Sequence, residues 1–177
     1  AADNAASLEL AAAMGPKWTL VFRSATGSGN PSSMIGSLGK GAITVELGGN
    51  CRTLTSDFHA VAQDLADSYL NVMRHYRMID GEARYAHNWR QGYQIALLAP
   101  ATGMFVGNPD LPFETEVEEG TLLGQIYNLY GDVAAEVRAP RNGVVFGLRS
   151  RPSVLEGQWC CFFGVVEQTV DNLIHAR

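Results

Sequence analysis

Residues Ala99-Pro-Ala-Thr-Gly-Met-Phe-Val106 return forty residues later as Ala139-Pro-Arg-Asn-Gly-Val-Val-Phe146. Proline fixes φ and withholds an amide, while glycine permits a sharp turn or a close backbone approach. Each Ala-Pro-x-x-Gly unit therefore reads as the lead into an apolar strand. Each is followed, after a gap, by Glu-Gly and a second apolar run: Glu119-Gly120-Thr-Leu-Leu-Gly-Gln-Ile126 and Glu156-Gly157-Gln-Trp-Cys-Cys-Phe-Phe163. Each copy supplies a strand, a turn and a returning strand, and a sheet of that size must bury its apolar face against another layer. Pairing the copies predicts a flattened β-barrel with approximate two-fold symmetry.

That arrangement resembles the barrel-sandwich hybrid of biotinyl and lipoyl carrier domains. Carriers attach their cofactor to a lysine on the exposed hairpin between the two halves. Here the hairpin is Tyr127-Asn-Leu-Tyr-Gly-Asp-Val133, and no lysine occurs after Lys40. An amide-tethered cofactor has no nucleophile to form on, so a carrier function is set aside.

The first half has a different texture. Ala, Leu and Met dominate from Ala5 to Met14, and Gly15-Pro16 stops that helix. Trp18 to Arg23 reads as a short strand, Ser24 to Ser33 as a polar loop of small residues, and Met34 to Lys40 as a turn or short helix. Residues 56 to 80 carry the clearest helix, with Phe58, Val61, Ala62, Leu65, Tyr69, Val72, Met73 and Tyr76 at three- and four-residue intervals. Thr55 or Ser56 can cap its start and Gly81 its end. A polar connector follows, and from Tyr93 the chain is β-rich. The division expected is residues 1–85, the C-terminal part of an α/β domain, and residues 86–177, a β-barrel domain.

Composition excludes several function classes. The 177 residues are 46% hydrophobic with a net charge of −5, and the scattered basic residues form no patch for nucleic acid. No apolar run reaches the length of a membrane span. The chain opens Ala-Ala-Asp-Asn-Ala-Ala without a starting Met or a signal-peptide pattern, so the natural polypeptide is expected to begin earlier. Cys51, Cys160 and Cys161 show no C-x-x-C spacing, and a reducing cytoplasm is the expected compartment. Alternation along a strand points Cys160 and Cys161 to opposite faces. His59 and His75, sixteen residues apart on the long helix, are too distant to share a metal, and both read as surface or boundary residues.

Within the first half, Ala42-Ile-Thr-Val-Glu-Leu47 alternates like a strand with one buried face, and Gly48-Gly49 follows at once. Glu46 is the exception in it. A glutamate on the second face of a strand is most often solvated or paired. It is also the residue type that general acid-base chemistry uses beside a close-approach glycine pair. A thiol mechanism through Cys51 has no obvious histidine partner.

Taken together, Ile43-Thr-Val-Glu-Leu-Gly-Gly49, the long helix, the connector and Val137-Arg-Ala-Pro-Arg-Asn-Gly-Val-Val-Phe146 resemble the succinylglutamate desuccinylase/aspartoacylase family of zinc-dependent deacylases, which are similar in fold to zinc carboxypeptidases. The resemblance implies an α/β fold: the C-terminal part of a zinc-carboxypeptidase-like domain, then a β-barrel domain resembling a barrel-sandwich hybrid. It implies removal of an acyl group from an N-acyl amino acid or similar small amide by metal-activated water, with Glu46 as general acid/base. The family's His-x-x-Glu zinc motif and later histidine are not found among His59, His75, His87 and His175. The resemblance thus places the zinc ligands outside this chain, in the intact protein, and this chain alone is expected to be inactive. Arg23, Arg52 and Arg84 are candidate carboxylate clamps; Arg138 and Arg141 are expected to decorate the barrel. Expected partners are a small N-acyl substrate and either a second copy or the missing N-terminal part, without nucleic acid or membrane. The alternative is a non-catalytic binding or assembly module that keeps the fold without metal chemistry.

Overall fold

The computed structural model describes residues 4–24, 31–47, 55–111 and 114–174. It divides into two compact units, residues 1–92 with 167–177, and residues 93–166. The division passes within two strands, β2 (Trp89–Leu98) and β9 (Trp159–Val170). The second unit begins at Tyr93, where the β-rich part of the sequence begins. The tail after Val166 returns to the first unit through β9.

The first unit starts with α1 (Ala5–Ala13), where Asn4 caps the helix by accepting from the Ser7 amide at 2.8 Å. Met14 closes α1, and Gly15 follows at φ 105°, as the Gly-Pro stop predicts. After α1 come β1 (Leu20–Ser24), α2 (Pro31–Ser37) and α3 (Thr55–His75). β1 lies beside β2, where the Arg90 amide donates to the Thr19 carbonyl at 2.9 Å. Ala11 and Ala12, small enough for close approach, pack with Val21, Ala86, Trp89 and Leu173 to make this unit's core.

Among its described residues α3 is fully buried only at polar positions. Its buried residues are polar, Ser68 and Asn71, while Phe58, Tyr69 and Tyr76 of the predicted apolar face are exposed. Hydrogen bonding accounts for this. The Trp18 indole donates to Ser68 Oγ at 2.9 Å. Asn71 donates to the carbonyls of Ala13 (2.9 Å) and Arg84 (2.7 Å) and accepts from the Arg84 amide at 2.8 Å. The helix also ends earlier than Gly81. Arg77 takes φ 56°, and the Met78 amide reaches back to the Met73 carbonyl at 2.8 Å, a Schellman closure.

The second unit contains the repeat. Its strands are β3 (Gly103–Gly107), β4 (Thr115–Val117), β5 (Leu122–Tyr127), β6 (Val133–Arg138), β7 (Gly143–Leu148) and β8 (Ser153–Val154), with the adjoining parts of β2 and β9. One sheet runs β6-β5-β3-β8; the other runs β2-β9-β7-β4, with β1 beyond β2. Exchanging β2 with β6, β3 with β7, β4 with β8 and β5 with β9 converts one order into the other. Each copy gives its third strand to the other copy's sheet: β4 pairs with β7 and β8 with β3.

The same symmetry appears in individual bonds. The Ala99 amide donates to the Gln158 carbonyl (2.7 Å) and its carbonyl accepts from Gly157 (2.9 Å). Ala139 repeats this with Thr121 (2.9 Å) and Gly120 (2.8 Å). Gly120 and Gly157 sit at φ 85° and 81°, which explains the Glu-Gly of each copy. Between the sheets lies one core, with Phe105, Leu123, Ile126 and Val137 from one side and Val145, Phe163 and Val165 from the other. Among the described residues the sheets remain two layers and do not close into the expected barrel. The strands placed to close it, β4 and β8, are only 3 and 2 residues long. Cys160 and Cys161 are both buried, in the cluster that forms this core.

Candidate active site around Glu46

The segment carrying Glu46 is fastened to the start of α1. Asn4 Nδ2 donates to the carbonyls of Gly36 and Lys40, each at 3.2 Å. Gly39, at φ 74°, ends α2, and the Lys40 amide returns to the Ile35 carbonyl at 3.4 Å. Gly41 passes so close to Ala6 that a Cβ there would press on its backbone carbonyl. The Ala42 amide then donates to Ser7 Oγ at 3.0 Å, and the hydroxyls of Ser32 and Thr44 are 2.8 Å apart. Glu46 follows two residues later and is exposed.

The expected alternation is present in part, since Ile43 and Val45 are half-buried while Thr44 and Glu46 face solvent. A hydrogen-bonded strand is not. Residues 40–47 join no ladder among the described residues. The Asn4 cap and Ser7 of α1 satisfy the backbone at Lys40 and Ala42 instead. Gly48, Gly49, Cys51 and Arg52 lie outside the described residues, as does most of the loop from Ser24 to Ser33.

Arg23 is engaged elsewhere in the first unit. Its guanidinium forks onto Glu167 with two contacts of 2.7 Å, and the hydrogen bond from Arg23 holds the Glu167 carboxyl below its usual range. Arg84 is exposed, and its backbone is the part that binds Asn71. Arg138 is exposed on β6, bound to Glu136 and to the Gly120 carbonyl, and Arg141 is exposed as expected. His59 is exposed, His87 lies 3.2 Å from Asp171 on an open surface, and His175 is outside the described residues.

His75 is half-buried, within its reading as a surface or boundary residue. Its ring is largely enclosed, with Nδ1 2.9 Å from the Tyr85 hydroxyl and Nε2 3.1 Å from Glu9. Spacing gave no signal of this group, because Glu9 and Tyr85 come from distant segments. Asn71 did carry a signal: asparagine is a poor interior helix residue and invites a specific hydrogen-bonding role. Burial pushes the Cys161 thiol up to about 12, and Cys160 is raised by the same cause. Neither is an accessible thiolate.

Among the described residues no three His, Cys, Asp or Glu side chains converge as a metal would require. The carrier-type hairpin between β5 and β6 is present and ordered. Asn128 Oδ1 accepts from the amides of Tyr130 (2.8 Å) and Asp132 (3.0 Å), and Leu129 and Tyr130 stand fully in solvent at the tip.

No protein-family model matches this sequence, and no curated protein matches it. Solved structures do. The apo ectoine utilization protein EutE (DoeB) from Ruegeria pomeroyi aligns with 93% of this chain at a TM-score of 0.72 and 22% identity. A succinylglutamate desuccinylase/aspartoacylase from Rhodobacter sphaeroides aligns with 93% at 0.67 and 22% identity. A succinylglutamate desuccinylase from Silicibacter sp. TM1040 aligns with 88% at 0.64 and 22% identity. The fold is therefore that of succinylglutamate desuccinylase/aspartoacylase structures. The chain spans about half their length, 52%, 49% and 47% of the three.

Proposed function

We propose that this chain is the C-terminal part of a deacylase-type hydrolase that removes an acyl group from an N-acyl amino acid or similar small amide. The observation that carries the reading is the likeness of fold over 93% of the chain to a succinylglutamate desuccinylase/aspartoacylase. A compact cytoplasmic enzyme acting on a small substrate also suits a chain with no nucleic-acid patch and, among its described residues, no helix long and apolar enough to cross a membrane.

Glu46 takes the proton-transfer role. Amide hydrolysis requires a proton to leave the attacking water and another to reach the departing nitrogen. One carboxylate serves both steps if it accepts from the water, holds the proton while the tetrahedral intermediate stands, and returns it to the amine. The carboxylate is exposed, on a segment anchored by Asn4, Ser7 and Ser32, and so is open to a substrate. Zinc would supply the activation of that water; the described residues do not by themselves fit the ion, and in this reading its ligands come from the intact protein outside this chain.

The alternative is a binding or assembly module that keeps the fold without metal chemistry. Turnover by the intact polypeptide separates the two. Glu46→Gln keeps the shape and removes the proton acceptor, and should lower kcat by about 10²-fold or more with zinc content unchanged. Turnover retained within a few-fold would remove Glu46 from the mechanism.

A further inference from the structure

β6 is the outermost strand of its sheet. Among the described residues nothing pairs beyond it, whereas its counterpart in the repeat, β2, has β1 on its outer side. Sheet edges that stay unpaired usually carry lysine, proline or a bulge along their length. β6 has no lysine and no proline, and the bulge on it, at Ala134, lies at the hairpin end. The direction of the edge groups follows from the pairing with β5. Just past β6, Ala139 donates its amide to Thr121 and accepts from Gly120 at its carbonyl. Alternation along an antiparallel strand then turns the amides and carbonyls of Arg138 and Glu136 to the open edge. The two side chains stand on one face, two residues apart, and both are exposed. Within one chain the Arg138 guanidinium folds back on Glu136, at 2.8 Å from Nε and 2.7 Å from Nη2.

An acid and a base placed either side of Val137 make this edge self-complementary. A second β6, turned about a two-fold axis at Val137, sets Glu136 opposite Arg138 of the other copy and Arg138 opposite its Glu136. Both become hydrogen-bonded pairs, so the amides and carbonyls that face the edge are met together with the charges. A slip of two residues sets Glu136 on Glu136 in one direction and Arg138 on Arg138 in the other, so charge selects a single register. We propose that β6 is an interface between two copies of this chain, joined antiparallel across a two-fold axis at Val137 so that their two four-stranded sheets become one. Such a contact uses the same edge twice and closes on itself. It lies on the β unit and is read without turnover, so it stands apart from the deacylase reading and from Glu46.

Sedimentation velocity of the 177-residue chain over a concentration series tests this. The expected result is a dimer, weakened at least tenfold by Glu136→Arg and likewise by Arg138→Glu, since each sets like charges against each other across the axis. An equimolar mixture of the two variants should dimerise again, because each edge then faces its complement. That recovery cannot come from misfolded chains, so it separates a lost interface from a damaged fold. Three outcomes overturn the proposal: a chain monomeric throughout the series, a dimer indifferent to both substitutions, or two monomeric variants whose mixture stays monomeric. A dimer indifferent to both would assign association to another face.

Discussion

Arg77 holds a left-handed conformation, φ 56°, at the end of α3. A side chain with a Cβ is strained there by about 1 kcal/mol relative to glycine. Arg77 is exposed, so its replacement removes the strain without opening a cavity. Arg77→Gly should therefore stabilise the protein by roughly 0.5–1 kcal/mol, read as a higher urea midpoint at unchanged slope. A lower midpoint would show that the helix does not end in this way. Asn71 and His75 act at the same scale and in the opposite sense, since each satisfies groups from segments far apart in sequence. Their partners could not be read from spacing. The asparagine in mid-helix was a visible oddity, whereas the enclosure of His75 by Glu9 and Tyr85 left no trace in the local pattern.

At the scale of elements, Gly103 and Gly143 occupy equivalent places at the head of β3 and β7. A Cβ on Gly103 would run into the Tyr127 carbonyl oxygen, and one on Gly143 into that of Gly164. Both oxygens belong to the partner strand's backbone, which cannot move aside alone. Gly103→Ala and Gly143→Ala should each cost about 3 kcal/mol, by similar amounts because the environments are symmetry-related. Equilibrium denaturation of the two variants checks this; a neutral substitution at either would break the equivalence. The repeat was legible because both copies keep the same turn chemistry, with Ala-Pro-x-x-Gly before one strand and Glu-Gly before the next. Closure into a barrel was not legible, because it depends on the lengths of β4 and β8, which the motifs do not encode. The three- and four-residue spacing marked α3 as a helix but not which side packs, which the hydrogen bonds of Ser68 and Asn71 decide. The strand expected at residues 42–47 failed for a related reason. Alternation describes a side-chain pattern, but a ladder needs a neighbouring strand, and here Ser7 and Asn4 meet the backbone instead.

At the scale of the whole molecule, the chain holds a symmetric β unit and an α/β unit in which Phe58 and Tyr69 of α3 are exposed. The chain spans about half the length of the structures it resembles. It also separates the residue Glu46 from the reaction proposed for it, since the described residues bring no metal donor set together. Amine release from a panel of N-acetyl and N-succinyl amino acids tests this most directly, comparing the 177-residue chain alone with the intact polypeptide. The account predicts no amine above the blank from the chain alone and steady release from the intact polypeptide. Turnover by the chain alone, or a folded intact polypeptide inert across the panel, would contradict it.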